Sequence, residues 1–270
     1  EAAITPRTRA IIAVHYAGHP AEMDQIYDLG RRYNLAVIED AAHAFPARYR
    51  GRLIGSRDNP ASFSFYATKN LTTGEGGALT GSPELVEQAN RLSLHGMSRD
   101  AWKRYQREGS WYYEIVLPGF KYNMTDIQAA IGLGQLSKIS DFQLRRRQVV
   151  STYQKSFSGH PALETPVERP EVEHAWHLYT LRLHETALTI DRHRFIQELD
   201  KLNIGTSVHF IPIHIHPYYR QKYGYQPDDF PVAYQNYRRL LSLPLYPSLT
   251  SEEVEEVTGA VLEVASRFKR

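Results

Sequence analysis

The sequence contains no cysteine. That excludes disulfide bonds, thiol nucleophiles, thiolate-bound zinc and iron–sulfur clusters together. It fits a reducing compartment, and a cytoplasmic location is the expectation. No apolar run approaches the ~18 residues of a membrane-crossing helix. Charge of one sign is not in excess: 32 basic against 30 acidic residues leave a net charge of +2. This excludes a polybasic nucleic-acid coat and an acidic solvating tail as the main identity. Histidine is plentiful, at 12 residues, but His209-x4-His214-x-His216 matches no zinc spacing, so no metal site is assigned. No G-x-S-x-G elbow is present to support serine hydrolysis. The basic residues are 24 arginines and 8 lysines, a ratio suited to bidentate anion contacts.

What is present is a core-forming chain: 270 residues, 42% apolar, enough for one large domain and part of a second. Residues 9–15 are nearly continuous apolar, which predicts a strand buried on both faces. Pro20 opens a helix whose inner stripe is Met23, Ile26, Tyr27 and Leu29. Residues 35–38 are a second buried strand, closed by Glu39 and Asp40. Strand, helix and strand within ~30 residues make a βαβ unit and imply a parallel sheet. Further strands are expected at 61–66 and 76–80, and a helix at Ser82-Pro83. Residues 95–122 carry no clean period. Thr125-Asp126-Ile127-Gln128 is a capping box, followed by Ile127, Ala130, Ile131, Leu133 and Leu136 at helical spacing. A second helical stretch runs to about residue 157, with Arg145, Arg146 and Arg147 on a solvated face.

Prolines at 161, 166 and 170 mark a boundary, giving a large domain over 1–157 and a small α+β domain over 158–270. In the latter, 179–183 alternate as a strand covered on one face. A helix spans 191–203 with Gly205 just past its end, and a short strand follows at 206–210. Thr250 caps the last helix.

Ligands of open α/β sheets bind beyond the carboxyl ends of the strands. Asp40 stands at one such end, Lys69 follows the strand 61–66, and Gly74-Glu75-Gly76-Gly77 permits a tight turn beside them. A lysine withdrawn from water becomes a usable amine nucleophile, and a fixed carboxylate can hold a cationic ring nitrogen. Each residue also has an ordinary reading: a solvated loop lysine, a helix-capping aspartate, a plain turn.

These residues stand in a longer pattern. Glu39-Asp40-Ala41-Ala42-His43-Ala44, Ser62-Phe63-Ser64-Phe65, Lys69 and Thr73-Gly74-Glu75-Gly76-Gly77 follow one another in order. Gly119 to Ala130 and Val208 to His214 add two more signatures. Together they resemble the DegT/DnrJ/EryC1/StrS family of sugar aminotransferases, over essentially the whole chain. The resemblance implies a fold-type-I large domain, mostly parallel sheet with helices on both faces, and pyridoxal 5′-phosphate (PLP) as cofactor. It implies that Lys69 bonds the cofactor aldehyde and carries protons, and that Asp40 pairs with the pyridine nitrogen. His43 contacts the ring-hydroxyl side and Ser64 the phosphate. Asn123 reaches the phosphate of a neighbouring subunit's cofactor, which implies a homodimer with shared sites. His95, Tyr122, His209 and His214 line the sugar site. The reaction implied moves an amino group from an amino acid, glutamate, to a keto-sugar of a nucleotide-sugar. Related dehydratases carry His where these enzymes carry Lys, so Lys69 favours transamination.

The resemblance also implies roughly a hundred residues ahead of Glu1, including a turn at a helix N-terminus that grips the phosphate. The opening at Glu1 reads as part of something longer. A chain without that segment would be a catalytically silent binding or assembly protein with uncovered apolar faces, which is the second reading. The mixture of basic and aromatic residues over 99–113 suits a loop meeting a nucleotide or a dimer interface better than single-stranded nucleic acid.

Overall fold

The computed structural model describes residues 1–98 and 112–270. The basic–aromatic run therefore lies outside the described residues except for Tyr112 and Tyr113, whose rings are exposed. The chain divides into two compact units: Glu1–Ile139 with Arg169–Ala175, and Ser140–Glu168 with Trp176–Arg270. The sequence pattern sets the division at 157; the contacts group the preceding helix with the second unit.

The first unit begins with β1 (Ala10–Val14), α1 (Met23–Tyr33) and β2 (Ala36–Asp40). A hairpin, β3 (Arg48–Tyr49) and β4 (Arg52–Leu53), precedes β5 (Ala61–Ser64), β6 (Gly77–Thr80), α2 (Pro83–Ser93) and α3 (Asp126–Leu136). Among the described residues one sheet has the order β1-β2-β5-β6. β1, β2 and β5 are parallel, while β6 returns antiparallel on β5. The register sets Val14 opposite Asp40, and Asp40 opposite Ser62. The βαβ unit holds because α1 lies close on β2. A Cβ on Gly30 would come within 2.7 Å of the Val37 side chain, so only glycine allows that approach. Met23, Val37, Ala41, Ala44, Tyr49 and Ile54 belong to this unit's core.

One expectation about this sheet needs correction. The apolar run at 9–15 predicts burial on both faces, but among the described residues β1 is an edge strand, with Ile12 65% and Val14 54% exposed. An apolar run shows that a strand can be buried, not that something covers it. Likewise Ile127, Ile131, Leu133 and Leu136 of α3 are exposed. The helix itself forms as expected, because its cap is local. The Thr125 hydroxyl accepts from the Gln128 amide, and the Gln128 side chain accepts from the Thr125 amide at 2.9 Å.

The second unit holds α4 (Ile139–Phe157) and β7 (Leu163–Glu164); the chain then returns to the first unit for β8 (Val172–Glu173), which pairs with β3. It continues with β9 (Tyr179–Leu183), α5 (Arg192–Lys201), α6 (Pro217–Tyr223), α7 (Pro231–Arg239), β10 (Leu240–Leu243) and α8 (Ser251–Arg267). Its antiparallel sheet has the order β10-β9-β7. The core is dominated by Tyr153, Phe157, Tyr179, Leu181, Phe195, Leu199, Leu241 and Val261. Residues 206–210 do not make the expected strand; they leave a single bridge, Ser207 to Ser242. Asn203, at φ +59°, takes the left-handed turn after α5 in place of Gly205.

Arg146 is the larger surprise. It is buried rather than on a solvated face, and donates to the carbonyls of Trp176 at 3.1 Å and Leu245 at 2.9 Å. Burial lowers its guanidinium pKa to about 10. Arg147 pairs with Glu168 at 3.2 Å. Replacing Arg146 strands two buried carbonyls, so Arg146→Met is expected to destabilise the protein by about 2–3 kcal/mol in urea unfolding. A loss under about 0.5 kcal/mol, the range of ordinary surface changes, would contradict this account.

Candidate active site

The carboxyl ends of β2 and β5 define the site. Asp40 is the last residue of β2, and its carbonyl accepts the His15 amide at 3.0 Å. Its carboxylate accepts the Ala42 amide at 3.1 Å, an Asx turn that fixes the group as the chain leaves the sheet. His43 follows in the same turn. The Ala17 amide donates to its Nδ1 at 3.3 Å, which puts the ring proton on Nε2. That edge of the ring is thereby a donor.

Beyond β5, the Ser64 hydroxyl accepts from the Tyr66 amide at 3.4 Å. The chain then makes a turn in which the Lys69 amide donates to the Tyr66 carbonyl at 2.9 Å. The next residue, Asn70, is buried and donates to the carbonyls of Phe45 at 3.2 Å and Ala175 at 2.7 Å. Lys69 therefore hangs from an anchored loop. Its amine is half-buried, and its pKa is lowered by desolvation, which the charge of Asp40 partly opposes. Gly77 closes the wall: a Cβ there would sit 2.5 Å from the Phe63 carbonyl. Asn70 was not among the residues singled out from sequence; an asparagine beside the lysine carries no signal until its distant carbonyls are known.

The other candidates fall in three places. His95 is exposed and in the left-handed region at φ +56°. Tyr122 is 75% exposed and stacks on Phe120 at 4.9 Å. Asn123 accepts from Lys121 and donates to the Met124 carbonyl at 3.2 Å. In the second unit, His209 Nδ1 meets the Ser242 hydroxyl at 2.8 Å and lines an open pocket of about 250 Å³ with Thr206 and His177. His214 is buried; its Nε2 donates to the Pro227 carbonyl at 3.2 Å and its ring packs on Phe230. Its polar edge is thus used within the fold.

The donor set fits a pyridoxal cofactor: an amine of lowered basicity for the aldehyde, a fixed carboxylate for a ring nitrogen, an N–H donor for a ring oxygen and a hydroxyl for phosphate. Fold and site together define a fold-type-I pyridoxal-phosphate transferase. The DegT/DnrJ/EryC1/StrS aminotransferase family model matches residues 1–262, and the chain belongs to that family. It is 50% identical over 266 residues to the spore coat polysaccharide biosynthesis protein SpsC of Bacillus subtilis, covering 98% of this chain and 68% of SpsC. Among solved structures, S. venezuelae DesV, in complex with a ketimine intermediate, superposes with a TM-score of 0.86 at 36% identity, covering 98% and 67% of the two chains. Spr1654 of Streptococcus pneumoniae in its PMP form gives 0.88 at 33%, covering 98% and 71%; a PLP form is also known. The chain is accordingly a sugar aminotransferase, with pyridoxal phosphate as its cofactor. No helix among the described residues is long and apolar enough to cross a membrane.

The lowered basicity of Lys69 is directly measurable. In competitive labelling with trace acetic anhydride, Lys69 should reach half-reactivity at a lower pH than a free lysine peptide labelled beside it. Asp40→Asn should lower that midpoint further, because the Asp40 charge raises it. Coincident midpoints for Lys69 and the free peptide would show an ordinary solvated amine.

Proposed function

We propose that the protein transfers an amino group from an amino acid, glutamate, to a keto-sugar carried on a nucleotide diphosphate. The observation that supports this most is the Lys69 amine, half-withdrawn from water at the carboxyl edge of the sheet and within the electrostatic reach of Asp40. Bound there, pyridoxal phosphate supplies an aldehyde carbon and an electron-accepting ring. The protein groups do the rest. Lys69 Nζ takes a proton from the donor's α-carbon and later returns one to the sugar carbon. Asp40 keeps a proton on the ring nitrogen by its charge. His43 Nε2–H donates to the ring oxygen, and the Ser64 hydroxyl binds phosphate.

His95, Tyr122 and His209 are the proposed sugar-side contacts. His214 is a weaker member of that set, since its Nε2 proton is already given to a carbonyl. Asn123 is proposed to serve the phosphate of a second copy's cofactor. The exposed apolar side chains of Ile127, Ile131, Leu133 and Leu136, next in sequence, support a face that meets that copy.

The test is chemical. With added pyridoxal phosphate and borohydride, the reduced label should map to Lys69 and vanish in Lys69→Ala. A label elsewhere, or none in the wild type, would leave the catalytically silent reading. Asp40→Asn should slow conversion of glutamate to 2-oxoglutarate by roughly a hundredfold or more, as for loss of one fixed charge facing a reacting group. Near-normal rates would remove Asp40 from the role.

A further inference from the structure

Glu39 points away from Asp40, as neighbouring residues on a strand must. It is 1% exposed. Burying a carboxylate is costly unless every lone pair is met. Here three side chains meet it: His15 Nε2 at 2.8 Å on one oxygen, and the Tyr27 hydroxyl at 2.6 Å and Asn59 Nδ2 at 2.8 Å on the other. Burial pushes its pKa up, but these donors outweigh it, so the net shift is downward and the group is a carboxylate. An apolar side chain would fill the same space without the desolvation cost. What the network supplies is geometry.

His15 carries that geometry to the site. The Ala21 amide donates to its Nδ1 at 3.0 Å, so the ring proton is on Nε2, facing Glu39. Its own backbone amide holds the Asp40 carbonyl. Two residues later, Ala17 at φ +58° gives its amide to His43. One carboxylate thus fixes one imidazole, and that residue fixes both Asp40 and the turn that orients His43.

We propose that Glu39 is a positioning residue. Through His15 it holds Asp40 and His43 in the arrangement that receives the cofactor ring. The idea rests on the cofactor roles proposed for those two residues, but its first test needs no cofactor. Glu39→Gln keeps the shape yet turns one acceptor into a donor. In either amide orientation that donor faces another N–H, from His15 or Asn59. Residue-resolved hydrogen exchange on the intact protein should then show the His15, Ala17 and Ala42 amides exchanging about tenfold faster, with the β5 and β6 amides unchanged.

Tyr27→Phe removes one donor only and should give the same pattern with a smaller change; it stands in if the glutamine variant does not fold. In pyridoxal-phosphate-loaded protein, the pH midpoint of the bound cofactor's absorbance change should move in both variants. A purely structural Glu39 would leave that midpoint where it is. Unchanged exchange at the three amides, uniform acceleration across the first unit, or an unmoved midpoint overturns the proposal. A wild-type protein with no cofactor band refutes the aminotransferase reading instead, and the exchange pattern still decides on Glu39.

Discussion

Parallel pairing in a fixed register is the constraint on which the site depends. With Val14 opposite Asp40 and Asp40 opposite Ser62, three strands end at one edge, and the chain must leave the sheet there. Backbone donors and acceptors at such an edge have lost their ladder partners, so turns and side chains have to satisfy them. The His15 amide takes the Asp40 carbonyl, and the Ala42 amide takes the Asp40 carboxylate. A slip of one residue would exchange Asp40 with Glu39 between the two faces of the sheet. It would bury the wrong carboxylate and strand the three donors that now serve Glu39. The network is therefore a register lock as well as a local support.

The lysine depends on the same edge in another way. Lys69 lies five residues beyond Ser64, in a loop whose direction is set by Asn70. Two backbone carbonyls from distant segments hold that amide, so the loop cannot swing the amine out to bulk water without breaking buried hydrogen bonds. Partial desolvation of the amine follows from the anchoring, and the lowered pKa follows from the desolvation.

Legibility in the sequence divides along the range of the interaction. Helix caps were readable because Ser82, Thr125 and Thr250 each meet an amide three residues on, and Asp191, read as the first residue of its helix, is its cap in the same way. Asp40 and Lys69 were singled out because they sit in an ordered series of signatures, and the structure sets both at or beyond the carboxyl ends of strands. Glu39 passed as the close of a strand, although an acidic residue after Leu-Ala-Val-Ile was the one available signal. Its partners stand 24, 12 and 20 residues away, and nothing local announces them. Arg146 was misplaced for the same reason, since its carbonyls are 30 and 99 residues distant. The two-residue strands β3, β4, β7 and β8 are too short to show a period at all.

In the role proposed for it, Asp40 would serve two neighbours with opposed needs. Its charge raises the basicity of Lys69, whereas an amine that attacks an aldehyde must be neutral. The same charge is what a protonated ring nitrogen requires. Burial settles the conflict on the lysine side, because desolvation is the larger influence on Lys69 and Asp40 only the smaller. The amine thereby keeps its reduced basicity beside the carboxylate. That balance holds only while Asp40 is fixed in direction. A carboxylate free to turn toward the amine would form an ion pair and hold the lysine in its unreactive form. On the proposed roles, rigidity at the end of β2 is a chemical requirement, which gives a buried glutamate held by three side-chain donors one residue upstream a reason to be there.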